Sequence, residues 1–425
     1  MFRSLRVRNY RLYASGQLIS VTGTWMQRVA QDWLVLELTN SGVMLGLVTA
    51  FQFAPSLLVG LWGGALADRF DKRILLLLTQ AAIALCALTL GLLDLTGLVA
   101  AWQVMVLAAA IGFIGAVDTP ARQSFAVEMV GRNDLANAVG INSTIFNIGR
   151  VVGPVAAGVT ISQVGTGWAF IANAISGIGV LTALTLMRSS ELHPTPHLVR
   201  APGQLRESIT YVRGRSDLVL PMVLVFIVGT FGLNFQITAA ILAKQVFHRG
   251  AGGFGLLSAF FAIGACIGAL IATRRQTRPS STFLVGAAVA FGTLEVIVGL
   301  MPGFGATLAL LIPTGILMLL FTTGTGASIQ LGADAIMRGR VTALYLMCLL
   351  GGTPIGAVLI GWIATVLGPR WGMIGGGAIS AAAALGVGWI MARRQNVTAR
   401  EVIGRMRDQV RQKRGPAALP ARMSA

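Results

Sequence analysis

The sequence predicts an all-α membrane protein with twelve transmembrane helices in two pseudo-symmetric six-helix bundles. Three observations carry that prediction. Apolar runs of bilayer length recur along the chain, basic residues gather in alternate connections, and one polar stretch divides six runs from six. Of 425 residues, 55% are hydrophobic and 11% charged, a balance suited to lipid rather than water. A hydrocarbon layer roughly 30 Å thick needs about 20 helical residues per crossing. Runs of that length, rich in Leu, Ala and Gly and without period-two alternation, select helices over an outer-membrane barrel.

Taken in order, the spans are predicted at 12–37, 42–66, 73–93, 99–117, 137–161 and 167–187, then at 217–242, 254–273, 282–301, 305–328, 341–366 and 370–392. The organisation that follows is a cytoplasmic N-terminus (1–11), an N-terminal bundle (12–187), a linker (188–216), a C-terminal bundle (217–392) and a basic cytoplasmic tail (393–425). The linker carries Pro194, Pro196 and Pro202 among its arginines. In the tail, Val397, Val402, Ile403, Met406 and Val410 recur at near-helical spacing between Arg400, Arg405, Arg407, Arg411 and Lys413. That pattern fits an interfacial helix on anionic lipid, and equally a disordered basic tail that contributes only topology.

A net charge of +18 raises nucleic acid as a partner, and the positions of the charges exclude it. With the N-terminus inside, 28 of the 33 Lys and Arg fall in cytoplasmic segments, whereas only Lys244, Arg249 and Arg370 fall outside. This asymmetry is the positive-inside rule, and it places both termini in the cytoplasm of an inner-membrane protein. No basic stripe sits on a soluble fold. Cys86, Cys266 and Cys348 lie in three different spans without paired spacing, so neither a disulfide framework nor a metal site is expected. No small-residue cleavage site follows a short apolar core near Met1, so the first span is expected to be retained.

The halves repeat weakly. Asn147-Ile-Gly-Arg-Val-Val-Gly-Pro154 in span 5 aligns with Met347-Cys-Leu-Leu-Gly-Gly-Thr-Pro354 in span 11, and each is followed by a Trp-bearing turn, at Gly167-Trp168 and Arg370-Trp371. Repeats of this kind suit a transporter whose two bundles rock about a central site. The only lysines, Lys72, Lys244 and Lys413, are preceded by Asp71, Ala243 and Gln412, so the Gly-Lys-Ser/Thr of a phosphate-cradling loop is absent and no cofactor is implied. The leading class is a secondary transporter driven by an ion gradient.

Between spans 2 and 3 the chain reads Gly64-Ala-Leu-Ala-Asp68-Arg69-Phe-Asp71-Lys72-Arg73, a knot of charge between two apolar runs. It resembles the signature loop of the major facilitator superfamily, departing at Asp71, where Gly is usual. The resemblance implies a cytoplasmic gate of Gly64, Asp68, Arg69, Lys72, Arg73 and Asp118, with Asp68 near the amino end of span 11 around Arg340 and Val341. A helix amino end favours a carboxylate. Asp118, at the cytoplasmic end of span 4, is a plausible partner for Arg69 or Arg73. A solvated loop that sets only orientation is the plainer alternative.

Span 5 carries Gly149, Gly153, Pro154 and Gly158, which let a neighbouring helix approach closely and bend the axis at Pro154. The set resembles the antiporter motif of the superfamily's exporters. Arg150 lies deep in the same span, where a guanidinium costs several kcal/mol unless paired or hydrated. Span 1 offers an acceptor in Asp32, with Trp25 and Arg28 on its face and Gln27 and Gln31 beside it. Either Arg28 and Asp32 form a structural ion pair, or Asp32 exchanges a proton as its pairing with Arg28 or Arg150 changes. Asn234 and Gln236 in span 7 are candidates for cavity lining or for joining helices, and Glu295 in span 9 is a buried carboxylate with no partner on its own helix. His193, His197 and His248 all fall in loops, away from any proton path through the core.

Further stretches narrow the likeness: Asn9-Tyr-Arg-Leu12, Gly23-Thr-Trp-Met-Gln-Arg-Val-Ala-Gln-Asp-Trp-Leu-Val35, Asp118-Thr-Pro-Ala-Arg-Gln-Ser-Phe125, Asn133-Asp-Leu-Ala-Asn-Ala138 and Gly339-Arg-Val-Thr-Ala-Leu-Tyr345. Together they resemble the enterobactin-exporter and macrolide-efflux branch. That implies a monomeric exporter of an amphipathic small molecule, a drug-like compound or a siderophore, in exchange for protons. A solute importer of the same fold and a non-transporting receptor are the alternatives. An enzyme is disfavoured, since no nucleophile, His pair or metal-ligand cluster sits at membrane depth.

Overall fold

The computed structural model describes residues 3–193, 204–274, 277–335 and 337–394. The basic tail from residue 395 and the proline-bearing part of the linker therefore lie outside the described residues. Every regular element within them is helical: α1 (Arg8–Thr39), α2 (Gly42–Arg69), α3 (Lys72–Leu95), α4 (Ala101–Gly131), α5 (Asn133–Val164), α6 (Thr166–Thr185), α7 (Ser216–Val246), α8 (Gly250–Thr273), α9 (Ser281–Leu300), α10 (Phe304–Gly332), α11 (Arg338–Val366) and α12 (Trp371–Arg394). Eleven of them are long and apolar enough to cross a membrane. The exception is α1, which has the length but is diluted by Gln17, Gln27, Arg28, Gln31 and Asp32.

Four departures from the predicted spans have physical causes. Helix α4 runs on past residue 117 because Asp118, Arg122 and Glu128 find partners inside the protein, so the charge that should end a lipid-facing span does not end this one. It stops at Gly131, whose φ of 70° and ψ of 176° turn the chain directly into α5. In α7 the helix is interrupted after Phe231 and resumes at Phe235, then closes in a π turn over Leu242–Val246. In α11 a break at Gly352 precedes Pro354, which sits in the first turn of the continuing helix, where its missing N–H costs nothing. Finally, the linker contains a helix at Gln204–Arg213, with Ser208 and Val212 buried and Glu207 and Tyr211 bonded to Arg340 (2.6 Å) and Asp334 (2.9 Å).

Helices meet where glycine removes the side chain from the contact. Across the two halves, a Cβ on Gly361 would collide with the carbonyl oxygen of Gly42, and one on Gly46 would collide with that of Ala357, so α2 and α11 touch backbone to backbone. On the other side of the seam a Cβ on Gly255 would lie 2.5 Å from the Pro154 carbonyl oxygen, and Gly158 abuts Gly252, joining α5 to α8. These approaches all lie toward the end away from the basic loops. At that same end Lys244 donates to the Leu36 carbonyl, Gln245 donates to the Asn40 carbonyl at 3.3 Å, and Trp33 stacks on Phe254. Toward the basic end the seam parts, and a Cβ on Gly60 would meet nothing within 4 Å.

Because no branched side chain fits between Gly46 and the Ala357 carbonyl, Gly46→Val is expected to part α2 from α11 at the closed end. Spin labels at Asn40 and Gly368 should show a longer, broader distance distribution than in the parent; an unchanged distribution would mean that this contact does not hold the closed end.

Candidate functional site

The motif of α5 builds the centre of the molecule. A Cβ on Gly153 would stand 2.5 Å from Trp25 Cβ and one on Gly149 2.7 Å from the Val21 side chain, so α5 lies directly on α1. Pro154 and Gly158 face α8 instead, so one motif serves both the joint within the first half and the joint across the seam. The close approach brings Arg150 to the indole of Trp25, with its guanidinium carbon 5.9 Å from the ring centroid and 5.8 Å from that of Phe261 on α8. From the same helix as Trp25, Arg28 lies 4.9 Å over that indole and 5.7 Å over Phe53 of α2. Phe146 meets Trp25 edge to face.

Here the structure corrects the sequence expectation. Arg150 has an aromatic face as its neighbour rather than Asp32, and Arg28 and Asp32 are not in ion-pair contact although they are one turn apart. Among the described residues no carboxylate oxygen lies within 4.0 Å of either guanidinium. Both guanidiniums stand on the Trp25 ring instead. Asp32 itself is only 8% exposed.

Two cavities meet at Arg28. One, of about 440 Å³, is lined by Gln52, Phe53, Thr119, Gln123, Met347 and Leu350 and so spans the two halves. The other, of about 480 Å³, reaches Tyr13, Gln17, Trp25, Gln80, Asp118 and Arg122 within the first half. Gln31 is 3.5 Å from Gln52, while Gln27 accepts a hydrogen bond from Asn173 of α6. Asn234 sits in the break of α7 and donates to the Thr230 carbonyl at 2.5 Å, and Gln236 accepts from Ser258 of α8 at 3.1 Å. Gln236 thus joins α7 to α8, whereas the Asn234 bond stays within α7, and neither residue lines these two cavities. Glu295 is buried where α9 crosses α12 beside Gly377, also away from them.

The charged loop after α2 is divided among separate tasks. Gly64 is buried and Arg69 exposed. Asp68 lies in the last turn of α2, and its side chain is outside those described. Asp71 caps α3 by accepting from Ile74 N–H at 3.0 Å, which gives the unusual residue at this position a local purpose. Lys72 is buried in an ion pair with Glu128 of α4 at 2.6 Å. Arg73 donates to the carbonyls of Leu184 (2.7 Å) and Thr185 (2.9 Å) and to Ser189, at the carbonyl-rich end of α6 where a cation is favoured. Asp118 is therefore not the partner of Arg69 or Arg73. It pairs with Arg122 at 2.5 Å and accepts from Thr79 and Gln80 at 2.8 Å, because the helical i, i+4 spacing supplies a nearer cation. At the start of α11, Arg340 is held by Glu207 of the linker helix.

Sequence reasoning missed Glu128, Phe53 and Phe261. The Asp118–Arg122 pair requires α4 to continue past residue 117, and Lys72 and Glu128 are 56 positions apart and carry no local signal. Among the described residues no cluster of His, Cys, Asp or Glu could hold a metal ion.

The model of a family described as transmembrane secretion effector matches residues 1–418. The chain belongs to this major facilitator family. It is similar to the staphyloferrin A transporter of Staphylococcus aureus (strain NCTC 8325 / PS 47), with 27% identity over 61% of this chain and 66% of that one. It is also similar to the enterobactin exporter EntS of Citrobacter koseri (strain ATCC BAA-895 / CDC 4225-83 / SGSC4696), with 25% identity over 85% and 86%. Among solved structures, a bacterial homologue of the human lysosomal transporter Spinster, inward-facing and unoccupied, superposes with a TM-score of 0.72 at 15% identity, covering 89% of this chain and 96% of that one. The nucleoside transporter NupG gives 0.70, at 12% identity and with 91% and 99% covered. The chain is thus a multi-pass membrane transporter and not an enzyme.

Removing Glu128 strands the buried Lys72 ammonium. Glu128→Leu is expected to cost roughly 3–5 kcal/mol of stability, and Lys72→Met in the same chain to restore most of it. Thermal unfolding of the detergent-solubilised protein checks this; a single variant as stable as the parent would show that the pair is dispensable.

Proposed function

We propose that this transporter exports an amphipathic small molecule, a siderophore or a drug-like compound, across the inner membrane by proton antiport with alternating access. The observation that carries the proposal is a seam closed by glycine contacts at one end and parted at the end bearing the basic loops. With both termini in the cytoplasm, as the charge asymmetry favours, this is the state that receives cargo from inside. Small residues on α2, α5, α8 and α11 leave few interlocked side chains across the closed end, so the halves can separate there and rock about the cavity. The names of the relatives, one of them an enterobactin exporter, support a siderophore as cargo.

Asp32 is the proposed proton carrier. It is a buried carboxylate next to the cavity, one helical turn from Arg28 and not locked in an ion pair with it. Asp68 is the proposed gate carboxylate, closing against the amino end of α11 in the opposite state. Anionic lipid at the cytoplasmic face and a monomeric state complete the reading.

Vesicles of defined orientation test direction and coupling together. Inverted vesicles with an imposed pH gradient are expected to accumulate siderophore or macrolide with matching proton flux; accumulation confined to right-side-out vesicles would mean import, and no substrate-linked flux would mean a receptor. Asp32→Asn is expected to abolish proton-coupled transport while the protein still inserts, and coupling equal to the parent would dismiss Asp32 as carrier. Asp68→Asn should slow transport with insertion intact, and a parental rate would remove the gate assignment.

A further inference from the structure

We infer that Arg28, Trp25 and Arg150 form a subsite for the carboxylate of an amphipathic anionic cargo. The inference rests on the export reading only in taking the central cavity as the cargo site.

The charges around this point do not balance. Arg28 lines both central cavities, and Arg150 shares its indole neighbour from the opposite helix. The first half brings one carboxylate near them, Asp32, which makes no ion pair with either guanidinium among the described residues. Asp118, on the wall of the second cavity, is already satisfied by Arg122, Thr79 and Gln80. The second half brings no compensation. Helices α8 and α10 contain no charged residue, the only charges of α7 are Asp217 and Lys244 near its ends, and those of α11 are Arg338 and Arg340 in its first turn. Glu295 is held between α9 and α12. Two guanidiniums with one detached carboxylate leave an excess positive charge midway along the seam.

Aromatic faces offset part of that cost. A cation on an indole gains less than withdrawing a guanidinium from water costs. What remains is a demand for an anion. A guanidinium presents a planar fork of donors that matches a carboxylate, so the preferred ligand carries that group. Phe146 meets the indole, Phe53 stands beside Arg28 and Phe261 beside Arg150, and these rings receive an aromatic or aliphatic body attached to the carboxylate.

The test uses the full chain in lipid nanodiscs and two probes of nearly equal shape, 2,3-dihydroxybenzoate and its uncharged amide, 2,3-dihydroxybenzamide, titrated by calorimetry near neutral pH. The parent is expected to bind the carboxylate about tenfold or more tightly than the amide, as one charge-assisted hydrogen bond supplies. In Arg28→Gln and in Arg150→Gln that ratio should fall toward one, with thermal unfolding at the parent's temperature reporting an intact fold. A parental ratio near one overturns the subsite even if neither variant folds, and so does a ratio retained in both variants. If the ratio behaves as expected but vesicles export nothing, the subsite stands and the export reading falls; if export is present and the ratio is one, the reverse holds.

Discussion

A charge carried into hydrocarbon has to be compensated from within the protein, and several buried charges of the first half are arranged by that requirement. Lys72 finds Glu128, Asp118 finds Arg122 with two neutral donors, and Arg73 finds the carbonyls that close α6. Those compensations let α4 extend well past the point where its sequence first turns polar, and they weld α3, α4 and α6 into the wall of the first half. Arg28 and Arg150 stand apart: among the described residues neither makes an ion pair, and both stand on the Trp25 ring.

Backbone contact through glycine is the second organising feature, and it follows from the solvent. Lipid tails are as apolar as leucine, so burying leucine between helices yields no hydrophobic gain, and close packing of small residues supplies the attraction instead. The consequence is a seam that is tight where it is closed: Gly42 meets Gly361 and Gly158 meets Gly252 backbone to backbone, with Trp33 stacked on Phe254 at the same end. The motif of α5 links this seam to the centre: Gly149 and Gly153 press α5 onto Trp25, while Pro154 and Gly158, on the adjoining face, hold α8. Movement at the closed end therefore passes through the helix that carries Arg150.

The linker is also part of this mechanics. Its helix bonds to Asp334 and Arg340, between which the chain turns from α10 into α11. Arg340 is thus engaged from the linker at the same helix end where the gate carboxylate is proposed to dock.

The all-helical membrane fold and the approximate number of helices were legible in the sequence, because bilayer thickness imposes a length on every apolar run. The superfamily was legible from the loop at Gly64 to Arg73 and the motif from Gly149 to Gly158, whose spacings are local. The pairing of Asp118 was misjudged because its distance to Arg122 along a helix depended on α4 continuing, and only burial in the fold decided that. Lys72 with Glu128, and Arg150 with Trp25, join residues distant in sequence, where nothing local specifies a partner. Sequence alone determined that this chain lives in lipid, in how many crossings and with which charges at depth. Which of those charges neutralise one another and which remain open was decided by tertiary structure, since compensation depends on distances of a few ångströms between helices that sequence order does not encode.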